Sequence, residues 1–274
     1  MAKTSDFKPL PLIMVAPNGA RRTKADHAAL PMTISETVEA ARASFEAGAR
    51  GMHAHVRNSS GEHVLDAGLY RELLTEMKAA VPDMLVQITS EGIGKYGPDE
   101  QRKLVHDLLP DAVSIAVREM IPDNKTAEAA TFYAWALKEQ IAIQHIVYSA
   151  EDLTRFFDLV EAGTIPGRDH QLLFVLGRYA NNQESAPEDL EPFLQTLTER
   201  RNTLGIDWAV CAFGHQETDC LAYAIESGGK ARVGLENGLW NRNGTPARDN
   251  ADRVKDLVAA LKEKNLAEFS QDRA

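Results

Sequence analysis

Short apolar runs alternate with longer amphipathic segments along this 274-residue chain. The apolar runs are rich in valine, isoleucine and leucine and are bounded by glycine, proline and polar residues, which is typical of buried β-strands. Their regular spacing is the strongest feature of the pattern. We predict eight strands, at residues 10–16, 49–56, 83–90, 111–117, 141–148, 171–177, 207–213 and 231–236.

The segments between the strands carry the end signals of helices. Thr33 is followed three residues later by Glu36, a capping-box pattern, and Gly48 stands where that helix should end. Eight strands and eight helices in strict alternation are expected, and this order predicts a parallel sheet. The end signals delimit six of these helices, at residues 33–48, 66–82, 98–110, 150–163, 219–229 and 247–265.

This alternation favours a closed (β/α)8 TIM barrel, an α/β fold, over an open doubly wound sheet. The stretch after the first strand, "APNGARRT", lacks the G-x-G-x-x-G phosphate-binding pattern of dinucleotide-binding sheets. No linker or change in composition interrupts the chain, and barrels of about 250 residues form one unit. We therefore interpret residues 1–274 as a single barrel domain.

Composition and charge argue against several classes of function. The formal net charge is −10 and the pI is near 5.3, which argues against a nucleic-acid-binding protein held by phosphate contacts. A local group of arginines can still bind a small anion. Two cysteines are too few for a disulfide framework, and no apolar run approaches the roughly 18 residues of a membrane span. With no signal-peptide pattern at the N-terminus, we expect a cytoplasmic protein without a membrane segment.

Two histidines end the second predicted strand. His53 and His55 lie two residues apart in "GMHAHVR", so both side chains face the same side of the strand, roughly 7 Å apart. In a barrel of this type the functional site lies at the carboxyl ends of the strands. Two neutral imidazoles there suit zinc, copper, iron or nickel. A pair of polar residues at the rim of the barrel is the plain alternative.

A third ligand is expected from the last strand, which neighbours the first in a closed barrel. Arg232, Gly234 and Glu236 share the face towards the lumen, and Glu236 can reach an ion held by the two histidines. Two histidines, one glutamate and an open position form a common catalytic zinc site. Alternatively, Glu236 is a rim carboxylate paired with an arginine. Four residues of regular strand span about 13 Å, so either the length of the arginine side chain or a bulge at Gly234 must bring the side chains of Arg232 and Glu236 together.

The same residues point to a known family. The chain resembles the β-keto acid cleavage enzymes over nearly its whole length, chiefly in "APNGARRTKADHAALPMT", "EAGARGMHAHVR" and "GGKARVGLENGLWNRNGTPARDNADRV". The H-x-H-x-R element and the G-G-x-x-R-x-G-x-E element are specific in combination. The resemblance implies a (β/α)8 zinc enzyme that condenses a β-keto acid with acetyl-CoA and releases acetoacetate and a new acyl-CoA. It also implies a homo-oligomer, by analogy a tetramer.

The resemblance assigns roles to individual residues. His53, His55 and Glu236 match the zinc ligands of the family, and the metal would polarise the ketone of the substrate. Arg232 matches an active-site arginine, which would bind a carboxylate or a developing oxyanion.

Other family positions are retained or changed. Thr89 and Ser114 keep hydroxyl groups where the family member from lysine fermentation has an active-site serine and threonine. Asn237 stands where the family usually has an aspartate that helps to deprotonate the substrate, and asparagine cannot accept a proton at working pH. Glu91 occupies a position after the third strand where glycine is usual. Our hypothesis is that Glu91 supplies the missing carboxylate, and the alternative is a solvated loop glutamate.

Two further changes concern the choice of substrate. Arg21 replaces a glutamate that contacts the substrate's amino group in the lysine-fermentation member, and this reversal of charge predicts an anionic or strongly hydrogen-bond-accepting tail. Arg22 follows it, and the pair could instead contact CoA phosphates or balance the acidic surface of the protein. Arg118 and Glu119, after the fourth strand, replace small residues and are expected to narrow the pocket.

The sequence leaves two other functions open. A metal-dependent aldolase or hydrolase would use the same two-histidine, one-carboxylate site, and dependence on CoA separates it from the acyl-exchange enzyme. A catalytically silent barrel that binds a metabolite is conceivable because of Asn237. His63, His106 and His145 are interpreted as ordinary histidines, and Cys211 as a packed residue, because no base lies beside it in sequence.

Overall fold

The computed structural model describes residues 8–122 and 125–266. Within them, eight parallel strands close into a barrel in which each strand pairs with the next and the last pairs with the first. The predicted (β/α)8 TIM barrel is confirmed. The strands are β1 (Ile13–Val15), β2 (Gly51–Ala54), β3 (Leu85–Thr89), β4 (Ala112–Ala116), β5 (Ala142–Val147), β6 (Asp169–Leu176), β7 (Gly205–Ala212) and β8 (Lys230–Val233).

Helices surround this barrel. They are α1 (Ile34–Ala47), α2 (Ala67–Ala80), α3 (Pro98–Leu108), α4 (Val117–Met120), α5 (Thr126–Lys138), α6 (Ala150–Glu161), α7 (Glu191–Arg200), α8 (Glu217–Glu226) and α9 (Asn250–Glu263). Each helix delimited from the sequence is present, within a few residues at its ends. Strict alternation is wrong at one point, because the single-turn helix α4 follows β4 directly and precedes α5. In the part of the chain that is described, no helix is both long and apolar enough to cross a membrane.

The last strand is shorter than predicted. β8 ends at Val233 rather than at residue 236, and the backbone leaves the sheet at Gly234, whose φ is +149°. Glu236 therefore lies in a turn beyond the strand, and the prediction that it continues the lumen-facing alternation of Arg232 is wrong. β2 likewise stops one residue before His55.

Two apolar layers position the ends of the strands. Met52 and Val56 alternate with the two histidines and belong to the buried cluster between barrel and helices, together with Tyr70 of α2. A smaller cluster inside the barrel includes Met14 and Cys211. Burial raises the pKa of the Cys211 thiol to about 11, which suits a packed residue and not a thiolate nucleophile.

Candidate metal centre and active site

Three potential ligand atoms meet at the barrel end where β1, β2 and β8 adjoin. The Nε2 atoms of His53 and His55 are 3.1 Å apart. Oε2 of Glu236 lies 3.9 Å from Nε2 of His53 and 3.7 Å from Nε2 of His55. Metal bonds of about 2.1 Å in a tetrahedral site place the ligand atoms about 3.4 Å apart, close to these separations. The structure therefore brings the three predicted metal ligands together.

A chain of amide side chains fixes the ring of His53. Gln87 of β3 pairs with His53 in the sheet, and its Oε1 atom is 3.0 Å from Nδ1 of the ring. The amide nitrogen of Gln87 donates to Gln144, whose own amide donates to the carbonyl of Leu172. Because the oxygen of Gln87 can only accept, Nδ1 of His53 carries the proton and Nε2 presents a lone pair.

A second relay fixes the ring of His55. The Nε2–H of His63 donates to the backbone carbonyl of Glu91, 3.0 Å away, so Nδ1 of His63 is an acceptor. Nδ1 of His55 lies 3.4 Å from this acceptor and donates to it. Nε2 of His55 is then left with a lone pair, as in His53. His63 is not one of the three ligands, as expected, but it orients one of them.

The charges and hydrogen bonds of the cluster suit a cation. Burial lowers the pKa of His53 and of His55 well below the usual value, so both rings are neutral. Oε2 of Glu236 is buried and has no hydrogen-bond partner within the described residues. A buried carboxylate oxygen without a donor is costly. Two imidazole lone pairs and this oxygen form a donor set that zinc would satisfy.

The turn after β8 brings Glu236 back over the end of the barrel. Its Oε1 atom lies 3.5 Å from Nη2 of Arg232, although the two residues are four apart in sequence. In place of the bulge that was one of the two alternatives, a turn begins at Gly234, in which the N–H groups of Asn237 and Gly238 donate to the carbonyl of Gly234. Arg232 is buried, and its Nε and Nη1 atoms have no partner among the described groups. The N–H groups on these two atoms are therefore available to an anion, whereas Nη2 also donates to the sulfur of Cys211.

A cavity lies beside the metal-ligand cluster, at the carboxyl ends of the strands. His53 and Glu236 form part of its wall, and the ends of β4 to β7 supply apolar side chains. The charged side chains on the remaining wall are Arg21, Arg22, Arg178, Arg232, Glu91 and Glu119. The cavity therefore has the concave shape and mixed lining of a small-molecule site.

Only some of the predicted catalytic residues reach this cavity. Thr89 and Glu91 line it, and Oγ1 of Thr89 accepts a hydrogen bond from the N–H of Glu91. Ser114 and Asn237 are buried and are not part of the lining. The hydroxyl of Ser114 and both amide atoms of Asn237 have no hydrogen-bond partner in the described part of the chain.

Arg118 points towards α6 and is not part of the cavity lining. Its guanidinium pairs with Asp152 and lies 4.3 Å from the ring centre of Tyr148 and 5.1 Å from that of Tyr179. Tyr148 does line the cavity, so the contact of Arg118 with the cavity wall is indirect, through the ring on which it packs. The neighbouring Glu119 does line the cavity, as a residue that narrows the pocket should.

Glu91 lies in the cavity wall, with its side chain 22% exposed. Its Oε1 atom is 3.7 Å from Nη2 of Arg178. Burial and the negative charge of Glu236 raise the pKa of Glu91 to about 7, against the opposing effect of Arg178. Glu91 can therefore exist in both protonation states near neutral pH.

The two arginines after β1 have different surroundings. Arg22 donates to the carbonyls of Leu235 and Asn237, at 2.6 and 3.1 Å, and so ties the loop after β1 to the turn after β8. Arg21 is exposed, lines the cavity, and makes no hydrogen bond or ion pair with the residues that the structure describes. Arg21 is therefore available to a ligand, whereas Arg22 is engaged within the protein.

The sequence pattern gives no role to three residues of this site. Gln87 is two residues before Thr89, and strand alternation is the signal that would have placed its side chain inwards. Arg178 follows the sixth predicted strand, where functional residues are expected. His63 returns to His55 through the turn at residues 58–61, and no periodicity predicts that contact.

Known proteins resemble this chain in sequence and in fold. The profile of the family described as beta-keto acid cleavage enzyme matches residues 11–274. The chain is 30% identical to a 3-oxoadipate:acetyl-CoA acetyltransferase of Cupriavidus necator, over 96% of this chain and 93% of that one. It is 27% identical to a 3-keto-5-aminohexanoate cleavage enzyme of Acetoanaerobium sticklandii, over 92% of each. The apo structure of ObcA superposes on this chain with a TM-score of 0.66 at 16% sequence identity, which shows a common fold. The match covers 86% of this chain and 62% of ObcA, less than two thirds of its length.

Proposed function

Because the chain belongs to the β-keto acid cleavage enzyme family, we propose that it cleaves a β-keto acid with an anionic tail, using acetyl-CoA and a zinc ion. In this reaction the carbon between the keto and carboxylate groups loses a proton and bonds to the acetyl carbon, while the thioester bond breaks and releases the thiolate of CoA. The thiolate then attacks the keto carbon, the bond from the keto carbon to the central carbon breaks, and the central carbon takes back a proton. The products are acetoacetate and a new acyl-CoA. The convergence of His53, His55 and Glu236 beside an arginine-rich cavity carries this proposal.

His53, His55 and Glu236 are the proposed zinc ligands, and the cavity leaves an open position beside them. When bound, zinc would act as a Lewis acid on the keto group. The protein prepares the site by holding each imidazole in one tautomer, through Gln87 on one side and His63 on the other. Such outer hydrogen bonds orient metal ligands and raise their basicity.

Arg232 is the proposed binding group for the carboxylate next to the reacting carbon. It is buried beside Glu236 and keeps N–H groups without a protein partner among the described residues, as a clamp for an anion requires. Thr89 offers a hydroxyl from the cavity wall. Ser114 and Asn237 are kept in the proposed active site because of their positions. Ser114 pairs with Thr89 in the sheet, and Asn237 follows Glu236 in the chain.

Glu91 is the proposed proton acceptor. Its carboxylate shares the cavity wall with His53 and Glu236, while Asn237 has no basic group. A general base works best with a pKa near the operating pH, and a pKa of about 7 meets that condition.

Arg21 and Arg178 are proposed to bind the anionic tail. Both line the cavity, and Arg21 makes no ion pair with the described part of the protein. The relative from Cupriavidus necator is named for 3-oxoadipate, a β-keto acid with a second carboxylate. A substrate of this dicarboxylic class would place one carboxylate at Arg232 and the other at these two arginines. The cytoplasmic location and the homotetramer stay predictions.

A matched set of substrates tests this proposal. Zinc-loaded protein is mixed with acetyl-CoA and with 3-oxoadipate, its neutral tail amide or 3-keto-5-aminohexanoate, and acetoacetate is followed by mass. We expect kcat/KM to be highest for the dicarboxylate. We also expect Arg21→Gln to reduce that preference at least tenfold, since one charge-assisted hydrogen bond contributes about 1.5–3 kcal/mol. Arg168→Gln, on the amino side of β6, is the control.

The other outcomes identify the alternative functions. Products without acetyl-CoA would show an aldolase or hydrolase, and tight binding of every substrate without turnover would show a silent barrel. Acetoacetate from the amino-tailed substrate at the highest rate would contradict the proposed role of Arg21.

A further inference from the structure

The turn at residues 234–238, here called the ligand turn, is held by side chains from two helices. The N–H of Gly234 donates to Oε1 of Glu217 on α8, 3.1 Å away. The next N–H along the turn donates to Oδ1 of Asn250, the first residue of α9, at 2.9 Å. These two consecutive N–H groups stand immediately before Glu236, so both bonds fix the backbone that carries a proposed metal ligand.

Glu217 is itself fixed by a buried ion pair. Its side chain and that of Arg253 are completely buried, and its Oε2 atom accepts a hydrogen bond from Nη2 of Arg253 at 2.8 Å. The ligand turn packs closely on this carboxylate, because a Cβ atom added to Gly238 would lie 2.1 Å from Oε2. A buried ion pair is often no more stabilising than apolar side chains of the same size. The hydrogen bond from Gly234 gives this pair a second role, the placement of the turn.

Asn250 joins the ligand turn to the loop after β1. Its Nδ2 atom donates to the carbonyl of Pro17, 3.1 Å away, while its Oδ1 atom accepts from the turn. The same loop contains Gly19, where an added Cβ would lie 2.5 Å from Cγ of Glu236. The side chain of Glu236 thus lies between two segments whose separation Asn250 sets.

We propose that Glu217 and Asn250 are positioning residues for Glu236 as a metal ligand. They hold the ligand turn where the carboxylate oxygen faces the lone pairs of His53 and His55. This inference rests on the proposed zinc site and deepens it. Productive metal sites need their ligands within about 0.5 Å, so loss of either residue should weaken metal binding although all three ligands remain.

The zinc affinity of the full-length chain tests this inference. It is measured by competition with a chromophoric chelator for Asn250→Ala and Glu217→Gln. The control is Glu226→Gln, which removes a carboxylate on the same helix that is half exposed and paired with Lys264. We expect the Kd for zinc to rise 10–100-fold in both positioning variants, the usual effect of losing an outer hydrogen bond at a metal site. The control should bind zinc like the wild type.

A cobalt spectrum separates positioning from a general loss of structure. Positioning variants with a native circular dichroism spectrum should show ligand-field bands of bound Co²⁺ that differ from those of the wild type. Asn250→Asp keeps an acceptor for the N–H of Leu235 and should recover part of the zinc affinity lost in Asn250→Ala. Wild-type Kd values and cobalt bands in both folded variants would overturn the inference.

Hydrogen exchange in the wild type needs no variant. The N–H groups of Gly234 and Leu235 should exchange slowly already in the metal-free protein, because Glu217 and Asn250 hold the ligand turn before zinc binds. Exchange of these two groups that is as fast as in the exposed turn at residues 241–245, and that slows only when zinc is added, would overturn the inference even where the variants fail to fold. A wild-type protein that binds no zinc would overturn the proposed zinc site as well, whereas tight wild-type binding with unchanged variants would overturn this inference alone.

Discussion

The ring of His63 lies between the carbonyl of Glu91 and the ring of His55, and it transmits the polarity of that carbonyl to the proposed ligand. His63→Phe keeps an aromatic ring but removes the acceptor for Nδ1–H of His55. We expect the Kd for zinc to rise 10–100-fold, because the tautomer and the orientation of His55 are no longer fixed. Chelator competition measures this, with His106→Phe on the exposed face of α3 as the control. Unchanged affinity in His63→Phe would contradict the relay.

Glu91 must be deprotonated to accept a proton, so its pKa of about 7 predicts the pH dependence of the reaction. Plotted against pH, kcat/KM should rise and level off with an apparent pKa no higher than about 7, because a zinc ion on Glu236 would offset the negative charge that helps to raise the pKa of Glu91. Glu91→Gln should lower kcat by about 10²–10⁴-fold, the usual contribution of general acid–base catalysis, and should abolish this acid limb. Glu62→Gln, an exposed carboxylate, is the control. Full turnover in Glu91→Gln would exclude Glu91 as the proton acceptor.

Among the elements, β8 is followed directly by a glycine, Gly234, whose position leaves no room for a side chain. A Cβ atom at Gly234 would lie 2.3 Å from the backbone carbonyl oxygen of Ala16, the residue directly after β1, and the φ of +149° is itself unfavourable for other residues. Gly234→Ala should therefore lower the free energy of unfolding by more than the roughly 1–3 kcal/mol of backbone strain, and should weaken zinc binding. Denaturant titration and chelator competition measure the two effects.

Gly244→Ala is the matched control for that prediction. Gly244 also has a positive φ, of +80°, but an added Cβ there would have no atom within 4 Å. This variant therefore carries the conformational strain without the collision. Equal losses of stability in Gly234→Ala and Gly244→Ala would show that the contact with Ala16 does not matter.

The strands also show how far the sequence predicts this site. His53 and His55 can be found from β2 because strand alternation is a local property of the chain. Glu236 can be placed near them from the closure of the barrel, but the turn that carries it there depends on contacts with Ala16 and Glu217, distant in sequence. The helix α5 is not detected in the sequence for another reason. Its own apolar residues occur on several faces, so "TAEAATFYAWALK" has weak helical periodicity.

In the whole molecule, two histidines remote from the site couple stability to pH. His145 and His170 lie on β5 and β6, with ring centres 6.2 Å apart and near Phe156. Burial lowers the pKa of His145 well below its usual value, and that of His170 from 6.5 to about 4. In this range the unfolded chain binds more protons than the folded one, so the free energy of unfolding falls as the pH falls below 6.5.

A substitution isolates this contribution. In His170→Phe the pH dependence of the free energy of unfolding should be less steep by up to one proton between pH 6.5 and 4, about 1.4 kcal/mol per pH unit. The nearby Asp169 raises the pKa of His170 and Tyr133 packs on His145, and both remain in the variant. Denaturant titrations across this range measure the slope, with His106→Phe as the control. Identical slopes in wild type and His170→Phe would refute the assignment.

Arg21 and Arg22 are adjacent in sequence, yet substitutions at the two positions should have opposite consequences for the evolution of this site. The guanidinium of Arg22 binds two carbonyls of the turn that carries Glu236, so a change there disturbs every substrate that the site accepts. Arg21 holds nothing together among the described residues, so its replacement leaves the barrel and the ligand cluster intact. If Arg21 binds the tail of the substrate as proposed, single substitutions at this position should change substrate preference during evolution, while the proposed metal ligands keep their places.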